Sequence, residues 1–243
     1  MVSTAVKAFL LSAGLGTRLR PLTEQTPKVL LPINGKPLLE IWLQHLNDHS
    51  INNVLINTHW LKEKVEVFLQ NQRLNSMRIR TYHEPSLLGS AGTLLTNEHW
   101  VSDDTPFFIL YGDNLTNVNL TKMLNFHKKH KFPFTLGVFK ARTPAQCGIA
   151  QIDEAGTVIG FEEKPEKPKS DSAAAGIYVA DKTFFRYFPD REVYRSSMPL
   201  DLGFHIIPQM VGNMKAYPID DFLMDIGTAE SYKLAQDLWK EVR

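Results

Sequence analysis

The chain has 243 residues, with 27 Lys and Arg against 26 Asp and Glu, a formal net charge of +1 and 43% hydrophobic residues. That length carries a sizeable core, and the near-neutral balance gives no global reason to invoke nucleic acid or a membrane surface as a partner. The single cysteine, Cys147, excludes an intrachain disulfide, and the apolar stretch at residues 8–11 is too short for a signal-peptide core or a membrane span, so a cytoplasmic location is expected.

Residues 6–11 read as a buried strand ending in a glycine-rich loop. Pro37 is placed to open a helix with Leu39, Trp42 and Leu46 on one face. Residues 53–57, 77–82 and 107–111 read as three further strands, the last the most apolar. Leu120, Met123, Leu124 and His127 share a helix face, and residues 134–138 form a fifth strand. Strands separated by helices predict an α/β fold with a mainly parallel, twisted sheet covered on both sides. The second half changes character. Strands at 148–152 and 158–161 flank an Asp153-Glu154-Ala155-Gly156 turn, residues 164–172 read as an exposed loop, and 176–180 as a strand. Thr228 caps a final helix that turns Tyr232, Ala235, Leu238, Trp239 and Val242 inward. A single domain over residues 1–243 is expected. Its nucleotide-type half runs to about residue 140 and its substrate-type half follows from about residue 141.

Four segments carry chemistry. The first is Leu11-Ser12-Ala13-Gly14-Leu15-Gly16-Thr17-Arg18, followed by Thr26-Pro27-Lys28. Glycines let backbone N–H groups approach phosphate oxygens with no Cβ in the way, and Arg18 offers a forked, permanent charge. The glycine spacing is too tight for the dinucleotide fingerprint, and no Gly-Lys-Ser/Thr follows as in a Walker loop. A Gly-x-Gly turn alone is more often an ordinary strand-to-loop turn. Two cations beside it favour a triphosphate site. The second segment, Tyr111-Gly112-Asp113, places Asp113 at the carboxyl end of a strand, where α/β sheets carry ligands. The third, Met224-Asp225-Ile226-Gly227-Thr228, reads in isolation as a helix cap. A triphosphate needs a hard cation, and Mg²⁺ takes one or two carboxylates plus phosphate oxygens and waters, so Asp113 and Asp225 are the candidate metal pair. The fourth, Gly160-Phe161-Glu162-Glu163-Lys164-Pro165, is either a solvated charged turn or a pairing of a hydroxyl acceptor with a phosphate cation.

Together the four segments resemble the sugar-1-phosphate nucleotidyltransferases, or nucleotide-sugar pyrophosphorylases, over essentially the whole chain, and most nearly the short mannose- or heptose-1-phosphate guanylyltransferases. The resemblance implies a Rossmann-like mixed sheet and a Mg²⁺-dependent reaction. A sugar 1-phosphate would join the α-phosphate of a nucleoside triphosphate and release pyrophosphate. Arg18, Lys28, Asp113 and Asp225 become the catalytic set, with Asp113 and Asp225 on the metal. Leu11, Ala13, Gly14, Gly16 and Thr17, with Gly89, Ser90 and Gly92, would line the nucleotide beside Arg18, Lys28 and Asp113. Gly148, Glu163, Lys164 and Gly176 would hold the sugar phosphate. Leu88-Gly89-Ser90-Ala91-Gly92 resembles the Leu-Gly-Thr-Ala-Gly segment of guanylyltransferases, which implies GTP. Uridylyltransferases acting on an N-acetylated sugar 1-phosphate carry a similar segment, so UTP stays open. So does a catalytically silent nucleotide-sugar sensor. Cytidylyl transfer to phosphocholine is disfavoured by Glu163-Lys164.

The sequence departs from the family pattern in places. Ala174 stands where an Asn that contacts sugar hydroxyls is usual, Cys147 precedes Gly148 where Tyr is usual, and Asn117 and Asn119 replace common Asp residues. The chain stops after its last helix, so a stand-alone catalytic domain without a C-terminal β-helix is expected; a homo-oligomer is compatible with it. The basic run at 127–131 is expected to be a solvated helix end rather than a nucleic-acid contact. His59 is expected to be a surface or packing residue rather than a ligand, Cys147 to pack, and Trp42 and Trp239 to be core.

Overall fold

The first apolar run forms β1 (Lys7–Leu11), with Ala8, Phe9 and Leu10 fully buried, in a computed structural model that describes residues 5–72, 76–103, 105–190, 193–194 and 199–240. Two compact units organise the chain. The first takes the described residues up to Leu87, Leu110–Asn119 and those from Asp221 on, and the second takes Leu88–Ile109 and Leu120–Asp220.

In the first unit, β1 pairs in parallel with β4 (Asn53–Thr58), which pairs in parallel with β5 (Arg78–His83). Parallel neighbours need a crossover, and the helices supply it. These are α2 (Leu38–Asp48) between β1 and β4, and α3 (Lys62–Gln70) between β4 and β5. Pro37 stands at the N-cap of α2, and Leu38, Leu39, Trp42 and Leu46 repeat at helical spacing and are all buried. A one-turn helix, α1 (Leu22–Gln25), and a small hairpin of β2 (Pro32–Ile33) and β3 (Lys36–Pro37) precede it. The hairpin turns on Asn34 and Gly35, both at positive φ (49° and 84°), as a two-residue turn requires. Later in the chain, β7 (Asn114–Thr116) pairs antiparallel with β13 (Leu223–Asp225). The last helix, α6 (Ala229–Leu238), starts with a capping box between Thr228 and Ser231. Ala235 and Trp239 are buried under it, Tyr232 and Leu238 are half-buried, and Val242 lies outside the described residues.

In the second unit, β8 (Phe134–Lys140) runs parallel to β12 (Met214–Pro218) and antiparallel to β11 (Ser172–Ala180). Strand β9 (Gly148–Ile152) pairs antiparallel with β10 (Val158–Glu163) and meets β11 at Ile149 and Ala173. The helices here are α4 (Ser90–Thr96) and α5 (Leu120–His127). Strand β6 (Phe107–Tyr111) gives its first three residues to this unit and its last two to the other. The fold is therefore α/β with mixed pairing and flanking helices: β1, β4 and β5 run parallel in the first unit beside two short antiparallel pairs, and pairing in the second unit is mainly antiparallel.

Two expectations are corrected. Strand β11 begins at Ser172, inside the predicted loop, because Ala173 and Ala175 are buried without the β-branched bulk that marks a strand in sequence. The basic run at 127–131 is not uniformly solvated. His127 is only 4% exposed, and His127 Nδ1 and His130 Nε2 each lie 2.8 Å from the Thr135 hydroxyl on β8. Burial, and then the facing His130, push the His127 pKa down to about 4.

A histidine kept neutral by the fold takes up a proton more readily when unfolded. Stability should therefore be full above pH 6.5 and fall as the pH drops towards 4, by roughly 3 kcal/mol for a shift of this size. Urea midpoints at pH 7 and pH 5 should fall further for the wild type than for His127→Gln. Equal losses in the two proteins would remove this histidine as the cause.

Candidate active site

In the first unit, the loop after β1 is pinned at its start. Ser12 N donates to Asn57 Oδ1 (2.6 Å), and Asn57 Nδ2 donates to Glu84 Oε1 (2.8 Å). Gly16 takes φ 64°, and a methyl group there would press on Thr23 Cγ2 at 2.8 Å while the Thr23 hydroxyl donates to Gly16 O (2.7 Å). Glycine is required at 16 both for conformation and for space. Gly14 differs: a Cβ there would meet nothing within 4 Å. Leu11 is half-buried and Ala13 buried, while Gly14, Thr17 and Arg18 are exposed along the same loop. Gly112 closes onto this loop, its N–H donating to Leu11 O (2.8 Å), and a Cβ there would lie 2.5 Å from Ser12 Oγ. That contact brings Asp113 beside the loop.

Four charged side chains converge. Lys28 is only 7% exposed, and its Nζ reaches Asp113 Oδ2 at 2.7 Å and Asp225 Oδ1 at 3.4 Å. Asp225 is delivered by β13, opposite Asn114 of β7. A methyl group on Gly227 would lie 2.7 Å from Asp225 Oδ1 and 2.8 Å from Arg18 Nη2, so both heads rest against that glycine. The Asp225 carboxyl is held above the usual carboxylate range, first by burial and then by the facing charge of Asp113, against Lys28 and Arg18. With 55% of the Asp225 side chain exposed, that burial is partial. Among the described residues no group of three or more His, Cys, Asp and Glu side chains could hold a metal ion. The donor set at this place is two carboxylates that repel each other, which suits a hard divalent cation that keeps waters and phosphate oxygens as its other ligands.

In the second unit, Glu163 closes β10 opposite Gly148 of β9. A methyl group on Gly148 or on Gly203 would collide with the same oxygen, Glu163 Oε2. Asp201 caps a one-turn π-helix, Leu202–Ile206, its Oδ1 accepting from Gly203 N (2.8 Å) and Phe204 N (3.1 Å). Its Oδ2 accepts from Ser90 Oγ (2.9 Å), which in turn accepts from Leu202 N (2.8 Å). Burial, then Asp201, raise the Glu163 carboxyl above its ordinary value, with Lys164 opposing. Burial, then Glu163 and Asp201, likewise push the Tyr178 phenol well up. Gly176, at φ 66°, lies within the register shift of β11 between Ala174 and Tyr178. Lys164 is exposed and takes φ 50°, the left-handed region uncommon for a non-glycine residue. Its N–H donates to Cys147 O (3.0 Å).

The small residues before α4 have a packing use. Ala91 N and Gly92 N both donate to Leu200 O (2.9 and 3.1 Å), and Leu200 N donates to Leu88 O (2.9 Å). A Cβ on Gly89 would collide with Leu200 O, and one on Gly92 would lie 2.7 Å from Tyr194 Oη. The structure thus gathers Arg18, Lys28, Asp113 and Asp225 in one unit. In the other it gathers Gly148, Glu163, Lys164 and Ser90, with Gly176 on the neighbouring strand. Sequence reading missed Asp201 and Phe204. The one available signal was an Asp standing as a cap before the apolar Leu202 and the Ile206-Ile207 pair.

A cationic glycine loop beside paired carboxylates on an α/β scaffold has the chemistry that suits phosphate groups. Residues 7–241 match the family described as nucleotidyl transferase, and the chain belongs to that family. It is 31% identical over 232 residues to mannose-1-phosphate guanylyltransferase catalytic subunit beta of Xenopus tropicalis, over 93% of this chain and 62% of that protein. It is 28% identical over 256 residues to a UTP–glucose-1-phosphate uridylyltransferase of Synechocystis, over 98% of this chain and 63% of that protein. The chain therefore spans about 62% of the length of the first of these curated relatives. Its fold matches a UDP-glucose pyrophosphorylase in complex with UDP-glucose, with a TM-score of 0.83, 19% identity and coverage of 99% of this chain and 100% of the other. It also matches HddC from Yersinia pseudotuberculosis, with a TM-score of 0.78, 19% identity and coverage of 96% and 99%. No helix among the described residues is long and apolar enough to cross a membrane.

Proposed function

We propose that this protein transfers the nucleotidyl group of a nucleoside triphosphate, GTP in the first instance, to a sugar 1-phosphate, with Mg²⁺, forming a nucleotide sugar and pyrophosphate. The observation that carries this reading is the placement of Lys28 between Asp113 and Asp225, with Arg18 against the same glycine as Asp225. Arg18 and Lys28 bind the triphosphate and draw charge from it. Asp113 and Asp225 would hold Mg²⁺, which when bound neutralises charge building on the phosphates. Glu163 accepts from sugar hydroxyls, and Lys164 binds the sugar phosphate. An oxygen of that phosphate forms a bond to the α-phosphorus while the bond from the α-phosphorus to the bridging oxygen breaks, and the electron pair leaves with pyrophosphate. The attacking oxygen is already an anion, so no general base is needed, and catalysis is positioning plus charge neutralisation.

GTP is supported by the resemblance of the segment at 88–92 and by the Xenopus relative's name. UTP is supported by the Synechocystis relative's name. Pyrophosphate release across four nucleoside triphosphates and mannose, heptose, glucose and N-acetylmuramate 1-phosphates decides both specificities. Release with GTP and one sugar is expected. Release with UTP alone keeps the reaction and replaces the base. No release with any pair, despite nucleotide binding, would point to a sensor. Lys164→Ala should raise KM for the sugar phosphate by about 10- to 100-fold, the worth of a charged hydrogen bond. The nucleotide KM should stay close to wild type, and an unchanged sugar KM would remove Lys164 from the phosphate.

A further inference from the structure

Glu163 and Lys164 are adjacent in sequence and opposite in charge, yet they do not pair. The Glu163 carboxylate sits against Gly148 and Gly203. The Lys164 ammonium lies 5.8 Å from the ring centroid of Phe204 and makes no ion pair among the described residues. Both sides of this contact are fixed through the backbone. Lys164 is held at φ 50° by its N–H bond to Cys147 O, and Phe204 by its N–H bond to Asp201 Oδ1. Phe204 is 55% exposed, and among the described residues its ring has one aromatic neighbour, His205, with centroids 6.3 Å apart. An aromatic face attracts an ammonium through its quadrupole and leaves the charge uncancelled, whereas a carboxylate partner would cancel it.

We propose that Phe204 is a positioning residue for Lys164. Its ring holds the ammonium away from Glu163, so that acid and base remain two separate ligand groups and the cation is already in place when a sugar phosphate arrives. This rests on the role given to Lys164 above. Preorganisation of this kind lowers the cost of ordering a long side chain on binding. Without the ring, Lys164 swings towards its neighbour, and both groups are lost to the sugar together.

The test is steady-state pyrophosphate release with GTP and mannose 1-phosphate, or the pair from the panel that wild type turns over. Phe204→Leu should raise KM for the sugar phosphate about two- to fivefold, the size of an exposed cation–π contact. The nucleotide KM, kcat and melting temperature should stay near wild type, and Phe204→Tyr should restore the sugar KM. In a Lys164→Ala background, adding Phe204→Leu should change nothing further, because the ring acts through the lysine. An unchanged KM in Phe204→Leu overturns the inference while the proposed reaction stands. So does an effect that persists in full without Lys164, which would mean that the ring meets the sugar itself. A wild type inert on every pair overturns the proposed reaction and this inference with it.

Discussion

Asp113→Asn and Asp225→Asn should each lower the rate of Mg²⁺-dependent pyrophosphate release by about 10³-fold, because in the proposed reaction each removes half of the charge that would face the cation. Asparagine keeps the size of the side chain, so the change isolates the charge. The fold should not suffer. Asp113 and Asp225 have side chains 35% and 55% exposed, Lys28 keeps one carboxylate in either variant, and the Asp225 carboxyl is raised first by burial and then by the charge of Asp113, both of which a neutral amide relieves. Urea midpoints at pH 7 should therefore hold or rise slightly while turnover collapses. Near-wild-type rates in both variants would mean that the carboxylate pair is structural and that the metal is held elsewhere.

Trp42→Ala should destabilise the protein by about 3–5 kcal/mol, the usual cost of deleting a fully buried aromatic side chain. Trp42 is 2% exposed on the inner face of α2, and its Nε1 donates to Asn114 O at 2.8 Å. Asn114 follows Asp113 directly and pairs with Asp225 across the short sheet of β7 and β13. The tryptophan thus ties a core helix to β7, which begins directly after Asp113 and pairs with the strand that carries Asp225. Trp42→Phe separates the two roles. It keeps most of the apolar volume, removes the donor, and should cost about 1–3 kcal/mol. Its activity should fall by more than the unfolded fraction explains. A Trp42→Phe protein equal to wild type in both urea midpoint and rate would show that the bond does not hold β7 in place.

What sequence made legible followed from local signals. Strands β1 and β6 are continuous apolar runs, α2 and α5 show helical spacing, and Thr228 has the chemistry of a cap. Arg18, Lys28, Asp113 and Asp225 could be grouped because each lies within two residues of a glycine or proline, and a triphosphate site needs that combination of charges. Long-range contacts were not legible. The bond between Ser90 and Asp201 spans 111 positions, so nothing near either residue announces it. Gly89 and Gly92 looked like room for a ligand, while their visible use is close approach to Leu200 and Tyr194. The histidines of the 127–131 run were hidden among lysines, and only the fold folds them back onto Thr135. Asp201 and Phe204 lie on a single π-turn, too short to print a period in the sequence.

The two glycines flanking one oxygen of Glu163 bear on how this protein can change over generations or in the laboratory. Gly148 and Gly203 lie far apart in the chain, and any side chain at either would contend for the place that Glu163 Oε2 occupies. That oxygen is the far end of a flexible side chain, so a small residue at either position would be admitted by turning the Glu163 carboxylate aside, and at Gly148 it would also press on the Phe161 ring. Variation at either glycine would therefore be felt first as a change in where that carboxylate points.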